Sequence, residues 1–362
     1  MTTPIVQFGT SRFLQAHADL FVSEALKSGQ APGPITIVQT TGSRERAGRL
    51  AALARPEGFP VVIRGIQGGE RIDRTEQVTS VTRALSTAEN WNEIREIVAD
   101  EAEILISNTG DTGYQVGDDD LVTEIPRSFP GKLLLLLKAR FDSGALPLTI
   151  LPCELVSRNG DVLKALMLRL AAERVKGNAF TMWLDKNVVW ANTLVDRIVS
   201  EPLEPAGAIA EPYALWAIEN QPGLRSPCAH PSVKLVDDLT PYEKLKLHIL
   251  NLGHTVLADL WLKEGRDPNE TVREILADAR VAARLDHIYR SEVIPAFAAK
   301  GMENEAITYA AATLERFGNP FLNHRLGDIA NHHREKIERR IVDLQRWSPG
   351  VSMPELAAIS DQ

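Results

Sequence analysis

In the first half of the chain, apolar residues fall in short runs separated by helical patterns. Ile5 to Phe8 is one such run; it breaks at Gly9 and leads into a helix through Leu26. Pro34 to Thr40 reads as a second strand, followed by a polar turn at Thr41 to Ser43 and a helix from Arg44 to Ala54. Val61 to Gly65 is a candidate third strand, and Asn90 to Ala99 is helical. Glu103 to Ser107 is a strand ending in Asn108, Thr109 and Gly110; Lys132 to Phe141 is a helix and Leu146 to Pro152 a strand. This alternation predicts a parallel sheet covered by helices. From about Thr240 only three-to-four-residue apolar spacing remains, in Thr240 to Lys263, Asn269 to Leu285, Glu303 to Arg316 and Ile329 to Leu344. The expected fold class is α/β: an α/β domain over residues 1–238, then an all-helical domain over 239–362.

The segment TPYEKLKLHILNLGHTVLADL, Thr240 to Leu260, carries the most chemistry. Thr240 suits an N-cap, Pro241 the first helical position, and Glu243 completes a capping box. At about 100° per residue, Leu245, Ile249, Leu252, Val256 and Leu260 form one core stripe. Lys246, Glu243, His254 and Asn251 share an arc of roughly 140° on the other side. Leu247, Leu250 and Leu257 fall among them, a mixture that suits a cleft better than open water. Desolvation and the nearby helix N-terminus both favour a neutral lysine there, able to take and return a proton. The Asn251 amide and a His254 N–H can hold the same substrate oxygen, so alkoxide charge is stabilised without a metal. The pattern alone fits a well-capped surface helix equally, with Lys246 a surface lysine, His254 a semi-buried histidine, Asn251 a helix bender and Glu243 a cap.

Bulk properties narrow the choice. The 362 residues are 44% hydrophobic and 24% charged, with a net charge of −8. That balance, with no basic stripe interleaved with aromatics, argues against nucleic acid as a partner. Two distant cysteines, Cys153 and Cys228, make neither a disulfide scaffold nor a zinc cluster, so a reducing compartment is expected. Met1 to Phe8 lacks the pattern of a secretory signal. The run Leu133 to Leu137 is far shorter than the ~20 residues of a membrane span. A cytoplasmic protein with no membrane partner is expected. Adjacent His332 and His333 on a helix would point about 100° apart and make poor joint metal ligands.

A strand that ends at Gly9 and turns at once into a helix suits a dinucleotide pyrophosphate. The fingerprint is degenerate, with Ser11 at the second glycine position and no glycine at the third, and an ordinary strand-to-helix turn reads the same way. The end of the second strand lacks the acid that bonds an NAD ribose. Ser43 and Arg44 could meet a 2′-phosphate, or Arg44 could open a solvated helix; NAD and NADP both stay open.

The spacing of Lys246, Asn251 and His254 resembles the signature of the polyol-specific long-chain dehydrogenase/reductase family, which includes mannitol dehydrogenase. QFGTSRFLQAH at Gln7 to His17, SNTGDTG at Ser107 to Gly113 and FPGKLLLLLKARF at Phe129 to Phe141 agree with it in order. ILPCELVSRNGD at Ile150 to Asp161, NTLVDRIV at Asn192 to Val199 and FGNPFLNH at Phe317 to His324 follow. The likeness spans nearly the whole chain. Within the family, the Pro-Cys-Glu-Leu stretch and the Ile-Leu-Asn run resemble the tagaturonate reductase (altronate oxidoreductase) branch. Mannitol dehydrogenases have an Asp-Asn pair where this chain has Glu154 and Leu155, which counts against mannitol as substrate.

The resemblance implies a Rossmann-type N-terminal domain, a helical C-terminal domain, a substrate cleft between them and no metal. It implies Lys246 as acid/base, Asn251 and His254 on the reacting oxygen, Glu243 in proton relay and Asp196 as a further active-site residue. Asp196 reads equally well as a structural partner of Arg197. Gly9, Ser11, Arg12, Phe13, Thr41, Ser43, Arg44, Asn108 and Thr109 are the expected cofactor-binding positions. Arg158, preferred for its place beside Asn159, Arg316 and Arg12 are candidates for the substrate carboxylate. The expected activity is metal-free, NAD(P)-dependent interconversion of a keto-sugar acid and its aldonate, by a monomer or small homo-oligomer. A hexitol or hexitol-phosphate dehydrogenase is the alternative within the class; a non-catalytic sugar or nucleotide sensor is the alternative outside it.

Overall fold

The computed structural model describes residues 2–41, 47–110, 113–117, 120 and 123–361. In chain order the first elements are β1 (Ile5–Phe8), α1 (12–27), β2 (Ile35–Gln39), α2 (Ala47–Leu53), β3 (Phe59–Gln67), β4 (Glu70–Val78) and β5 (Val81–Ser86). Then come α3 (91–101), β6 (Ile104–Ser107), α4 (Phe129–Ser143), β7 (Leu148–Pro152), α5 (Asn159–Arg174), α6 (Ala179–Lys186) and β8 (Val188–Trp190). Short strands β9 (Thr193–Asp196), β10 (Val199–Pro202), β11 (Ala208–Ala210), β12 (Leu215–Glu219) and β13 (Val233–Val236) close this half.

Six of these strands form one parallel sheet in the order β5-β2-β1-β6-β7-β8. Every residue of β1, β2, β6 and β7 is buried, as expected where helices cover both faces. The order reverses between β1 and β6, the switch point beside which Rossmann folds place their ligands. One expected strand is reassigned. Val61 to Gly65 lies in β3, in a separate sheet ordered β10-β11-β3-β4. The third parallel strand is β5, at the edge of the sheet, where its sequence VTRALS mixes polar and apolar positions. A third sheet, β13-β12-β9, holds Asp196 at the end of β9.

The chain divides into two compact units: Met1–Ile63, Arg74–Ala210 and Ala214–Leu239 in the first, and Arg64–Asp73, Glu211–Tyr213 and Thr240–Gln362 in the second. A linear division misses the two short insertions in the second unit. There the Gly68 and Gly69 amides, at the tip of the β3–β4 hairpin, donate to the Glu315 carboxylate at 3.1 and 2.9 Å.

The second unit is otherwise helical. It holds α7 (240–264), α8 (Val272–Leu276), α9 (279–298), α10 (Glu303–Phe317), α11 (Leu326–Ala330), α12 (333–347) and α13 (Pro354–Ser360). The expected Asn269 to Leu285 helix is two helices. Thr271 and Glu274 form a capping box for α8, and Asp278 caps α9, which continues past Leu285 to residue 298. Ile329 to Leu344 is likewise broken by His332, whose φ of 53° lies outside the helical range. Leu245, Ile249, Leu252, Val256 and Leu260, the expected core stripe of α7, all enter this unit's core.

Arg140 shows how the first unit closes a polar seam inside its core. It is 2% exposed, and its guanidinium donates to the carbonyls of Val98, Ala99, Leu146 and Pro147 at 2.6 to 3.2 Å. It thereby satisfies the last turn of α3 and the approach to β7, and burial lowers its pKa to about 10. Arg140→Met should therefore cost about 3 kcal/mol or more, since buried carbonyls lose their donors. Urea unfolding followed by tryptophan fluorescence checks this; a loss below about 1 kcal/mol would show that the seam is relieved in another way.

Candidate active site

The first group of candidates surrounds the end of β1. Gly9 has φ of 120°, and a Cβ there would lie 2.6 Å from the Asn108 carbonyl oxygen. Only glycine lets the backbones at the ends of β1 and β6 approach this closely at the switch point. Ser11 takes the place of the second fingerprint glycine because it caps α1, its Oγ accepting from the Leu14 amide at 3.2 Å. Arg12 donates to Glu204 at 2.6 Å and to the Gly207 carbonyl at 3.0 Å. Phe13 stacks on His17, with ring centroids 4.7 Å apart. Thr41 is exposed just beyond β2, its carbonyl held by the Gln39 amide at 2.6 Å. Ser43 and Arg44 lie outside the described residues.

Asn108 and Thr109 continue β6 and serve the loop itself. The Asn108 amide donates to the Cys153 carbonyl at 2.8 Å. The Thr109 amide and hydroxyl both donate to Glu154, at 3.0 and 2.9 Å. Glu154 is 4% exposed and also accepts from Ser107 at 3.0 Å and Tyr114 at 3.1 Å. One buried carboxylate thus ties the ends of β6 and β7 to the segment between them. The neighbouring Leu155 points outward and is 77% exposed. A glycine cradle at a Rossmann switch point, with a capped helix rising from it, fits a dinucleotide.

The arginines expected to meet a substrate carboxylate are already matched. Arg158, exposed and in a left-handed conformation, pairs with Asp161 at 2.6 Å and Glu219 at 3.4 Å. Asn159 is 1% exposed, and its amide is used inside the first unit: Nδ2 donates to the carbonyls of Pro152, Glu154 and Thr193, while Oδ1 accepts from the Gly160 and Thr193 amides. Arg316, far from a surface residue, is 4% exposed and forms a bidentate pair with Glu211 at 2.8 and 3.0 Å, stacked over Tyr213. With Arg12 on Glu204, each of the three arginine charges already has a carboxylate of the chain. Asp196 is 3% exposed on β9 in the first unit, beside Arg197, whose guanidinium donates to the Ala16 carbonyl at 2.6 Å.

The second group sits on α7, and its geometry departs from a uniform helix. Residues Lys246–Asn251 form a π turn. The Leu252 amide donates to the carbonyls of Leu247 and Ile249 rather than to that of His248. In an α-helix, residues five apart diverge by roughly 140°. An i to i−5 turn instead places the fifth residue nearly above the first, so Lys246 and Asn251 come onto one face. His254 follows one α turn later. Glu243, three residues before Lys246, is in the first turn of the helix, which starts at Thr240. Lys246, Glu243, Leu247 and Asn251 are half-buried, whereas Leu250 and Leu257 are buried in the core. Among the described residues the Asn251 side-chain amide makes no hydrogen bond.

His254 is 6% exposed, packed against Phe317 at 4.5 Å and His324 at 4.7 Å. Its Nε2 is buried and has no hydrogen-bond partner among the described residues. Burial, reinforced by His324, Arg340, Arg316 and Lys336, drives its pKa well below the usual histidine range, so the ring is neutral at physiological pH. His248, on the same π turn, has a different job. Its Nδ1 donates to the Arg340 carbonyl at 3.0 Å, and burial pushes its pKa down to about 4.

Two neighbours fix the π turn. The Tyr289 hydroxyl donates to the Ile249 carbonyl at 2.9 Å. The Arg340 guanidinium donates to the Asn251 carbonyl at 3.1 Å and to Thr255 Oγ1 at 3.0 Å, while Thr255 Oγ1 donates to the same carbonyl at 3.1 Å. Neither Tyr289 nor Arg340 was evident from the sequence, because each reaches α7 from a distant helix. Gly253 was a legible hint: a Cβ there would lie 2.0 Å from the Tyr289 hydroxyl.

The mannitol dehydrogenase Rossmann-domain profile matches residues 3–227, and the mannitol dehydrogenase C-terminal-domain profile matches residues 238–359. The chain belongs to the mannitol dehydrogenase family. It is 32% identical to an altronate oxidoreductase of Halalkalibacterium halodurans, over 93% of this chain and 69% of that one. It is 30% identical to an altronate oxidoreductase of Yersinia pestis, over 93% of this chain and 74% of the other. Among solved structures, a substrate-free D-sorbitol dehydrogenase superposes with a TM-score of 0.82 at 21% identity, covering 96% of this chain and 76% of that one. Mannitol 2-dehydrogenase of Pseudomonas fluorescens, in a ternary complex with NAD and D-mannitol, gives 0.74 at 20% identity over 99% and 78%. These likenesses establish the fold: a Rossmann domain followed by a helical domain. The chain is accordingly an oxidoreductase of the dehydrogenase type. No helix among the described residues is long and apolar enough to cross a membrane.

The contact between Gly253 and Tyr289 gives a direct test of the π turn. Gly253→Ala should destabilise the protein by about 1–3 kcal/mol, as overpacking does, and lower turnover. Tyr289→Phe removes the clashing hydroxyl, so adding it to Gly253→Ala should recover part of that loss. Thermal unfolding of the four-member cycle measures the coupling. Strictly additive losses would show that the hydroxyl does not abut Gly253.

Proposed function

We propose that this enzyme interconverts a keto-sugar acid of the tagaturonate or fructuronate type and its aldonate, altronate or mannonate, using NAD or NADP and no metal. The observation that carries the reading is the π turn, which aligns Lys246 with Asn251 one turn before the neutral His254, whose Nε2 has no partner among the described residues. The names of the relatives add the substrate class, since the altronate oxidoreductases align along 93% of the chain. The exposed Leu155 stands where mannitol dehydrogenases carry an asparagine, which weighs against a hexitol. The domain assignment is part of the proposal: residues 1–238 hold the dinucleotide and residues 239–362 hold the catalytic helix.

The Gly9 loop and the N-terminus of α1 hold the dinucleotide, which when bound supplies or accepts the hydride. The chain's own residues handle the oxygen and its proton. In oxidation the neutral Lys246 amine takes the proton of the substrate hydroxyl; in reduction its ammonium returns a proton to the oxygen. The Asn251 amide and the His254 ring hydrogen-bond that oxygen, and both are neutral groups, so they stabilise alkoxide charge without competing for the proton. Glu243, one turn before Lys246 on α7, exchanges that proton with solvent. Asp196 keeps the active-site assignment of its motif.

Lys246→Ala should lower kcat by about a thousandfold while leaving dinucleotide affinity within about twofold. The measurement is a screen of aldonates, hexitols and hexitol phosphates with NAD and NADP, following absorbance of the reduced cofactor, with and without chelator. Near-wild-type turnover in the variant contradicts the acid/base role, and a chelator-sensitive activity restored by zinc contradicts the metal-free mechanism.

A further inference from the structure

Glu154 places a carboxylate inside the first unit, at the ends of β6 and β7. Four donors meet its two oxygens. Oε1 accepts from the Thr109 amide and hydroxyl at 3.0 and 2.9 Å, and Oε2 from Ser107 at 3.0 Å and Tyr114 at 3.1 Å. Burial and the charge of Glu154 raise the Tyr114 pKa, so the phenol keeps the proton it donates. A pair of oxygens that only accept is an ionised carboxylate. These dipoles solvate the charge without cancelling it, and among the described residues Glu154 makes no ion pair. Glu292, held by the Glu355 and Leu356 amides at the start of α13, shows that such satisfaction alone marks no site. What singles out Glu154 is its place in the sheet. In a Rossmann fold the adenosine ribose meets the end of the second strand and the pyrophosphate meets the first loop. Here those are β2 and the Gly9 loop, so the nicotinamide half falls on the side of β6 and β7, across the switch point. The Gly9 loop abuts Asn108 there, next to the Thr109 that Glu154 holds.

A nicotinamide ring is cationic when oxidised and neutral when reduced. We propose that the buried charge of Glu154 acts on that ring, favouring the oxidised over the reduced dinucleotide. The carboxylate acts across the protein interior, where charges interact more strongly than in water, and does not have to touch the ring. This rests on the dinucleotide site of the proposed function and deepens it, because it sets the balance between the two cofactor forms. The hydrogen bonds alone do not require a charge. In Glu154→Gln, Oε1 can accept from Thr109 while Nε2 donates to the Ser107 and Tyr114 hydroxyls, which accept as readily as they donate. The variant therefore keeps the bonds and removes only the charge.

The test is equilibrium binding of NAD⁺, NADH, NADP⁺ and NADPH to the full chain by calorimetry, in wild type, Glu154→Gln and Tyr114→Phe. For the dinucleotide that binds, Glu154→Gln should raise the ratio of the oxidised to the reduced dissociation constant by about five- to tenfold. A tenfold change is about 30 mV in the potential of the bound couple. Tyr114→Phe loosens the same loop but keeps the charge, so it should change both constants alike. If Glu154→Gln fails to fold, Glu154→Met with Tyr114→Phe removes the same charge and should give the same shift. Equal weakening of both forms in the charge-free variant overturns the proposal and leaves Glu154 a loop clamp. A shift in Tyr114→Phe as large as that of the charge-free variant overturns it too. If the ratio shifts as expected but no aldonate is oxidised, the proposed function fails and the charge effect stands. Failure of wild type to bind any of the four dinucleotides overturns both.

Discussion

The hydrogen bond from the Leu252 amide to the Leu247 carbonyl is the local constraint on which the proposed chemistry depends. By skipping one carbonyl it inserts a residue into α7, and a lysine and an asparagine that a regular helix would hold far apart come to share a face. Such a turn weakens the regular ladder and needs outside support. It has that support from Tyr289 on the Ile249 carbonyl and from Arg340 with Thr255 on the Asn251 carbonyl. Gly253 is small because the tyrosine must come close, and His248 is buried because its ring anchors to Arg340. The core of the helical unit therefore shapes the proposed site directly, through backbone carbonyls.

Electrostatics adds a second layer. Where this chain buries an arginine for structural reasons it supplies acceptors: Glu211 for Arg316 and four carbonyls for Arg140. Around His254 the charges of Arg340, Arg316 and Lys336 add to the effect of burial, which keeps the histidine itself neutral. A neutral ring can accept or donate a hydrogen bond to a substrate oxygen at a pH where a charged one would only donate.

Much of this was legible in the sequence. Period and run length placed β1, β2, β6 and β7, and the capping pattern at Thr240 located the helix that matters. The five-residue core stripe of α7 was correct because α-helical spacing holds on either side of the π turn. What period alone misjudged was the turn itself, since the contacts that hold an inserted residue come from side chains on α9 and α12. β4 was missed because ERIDRTEQV is a solvent-exposed hairpin arm with no apolar rhythm, although Gly68 and Gly69 mark its turn. The arginines in recognisable motifs, Arg12, Arg158 and Arg316, are the ones a linear reading offers to a substrate carboxylate. Those arginines are ion-paired, and whether a charge is paired depends on contacts between distant segments that a linear reading cannot supply. Lys336 and Arg340 sit in a stretch dense with charges, HHREKIERR, where nothing local distinguishes a solvated cation from a buried one.

In the proposed mechanism the amine of Lys246, held by the π turn, carries the proton to and from the reacting oxygen. Chemical rescue tests it most directly: turnover of Lys246→Ala measured with added primary amines of graded basicity. Activity should return in proportion to the concentration of free amine and rise with its basicity. A variant that binds dinucleotide normally yet gains nothing from any amine would contradict it.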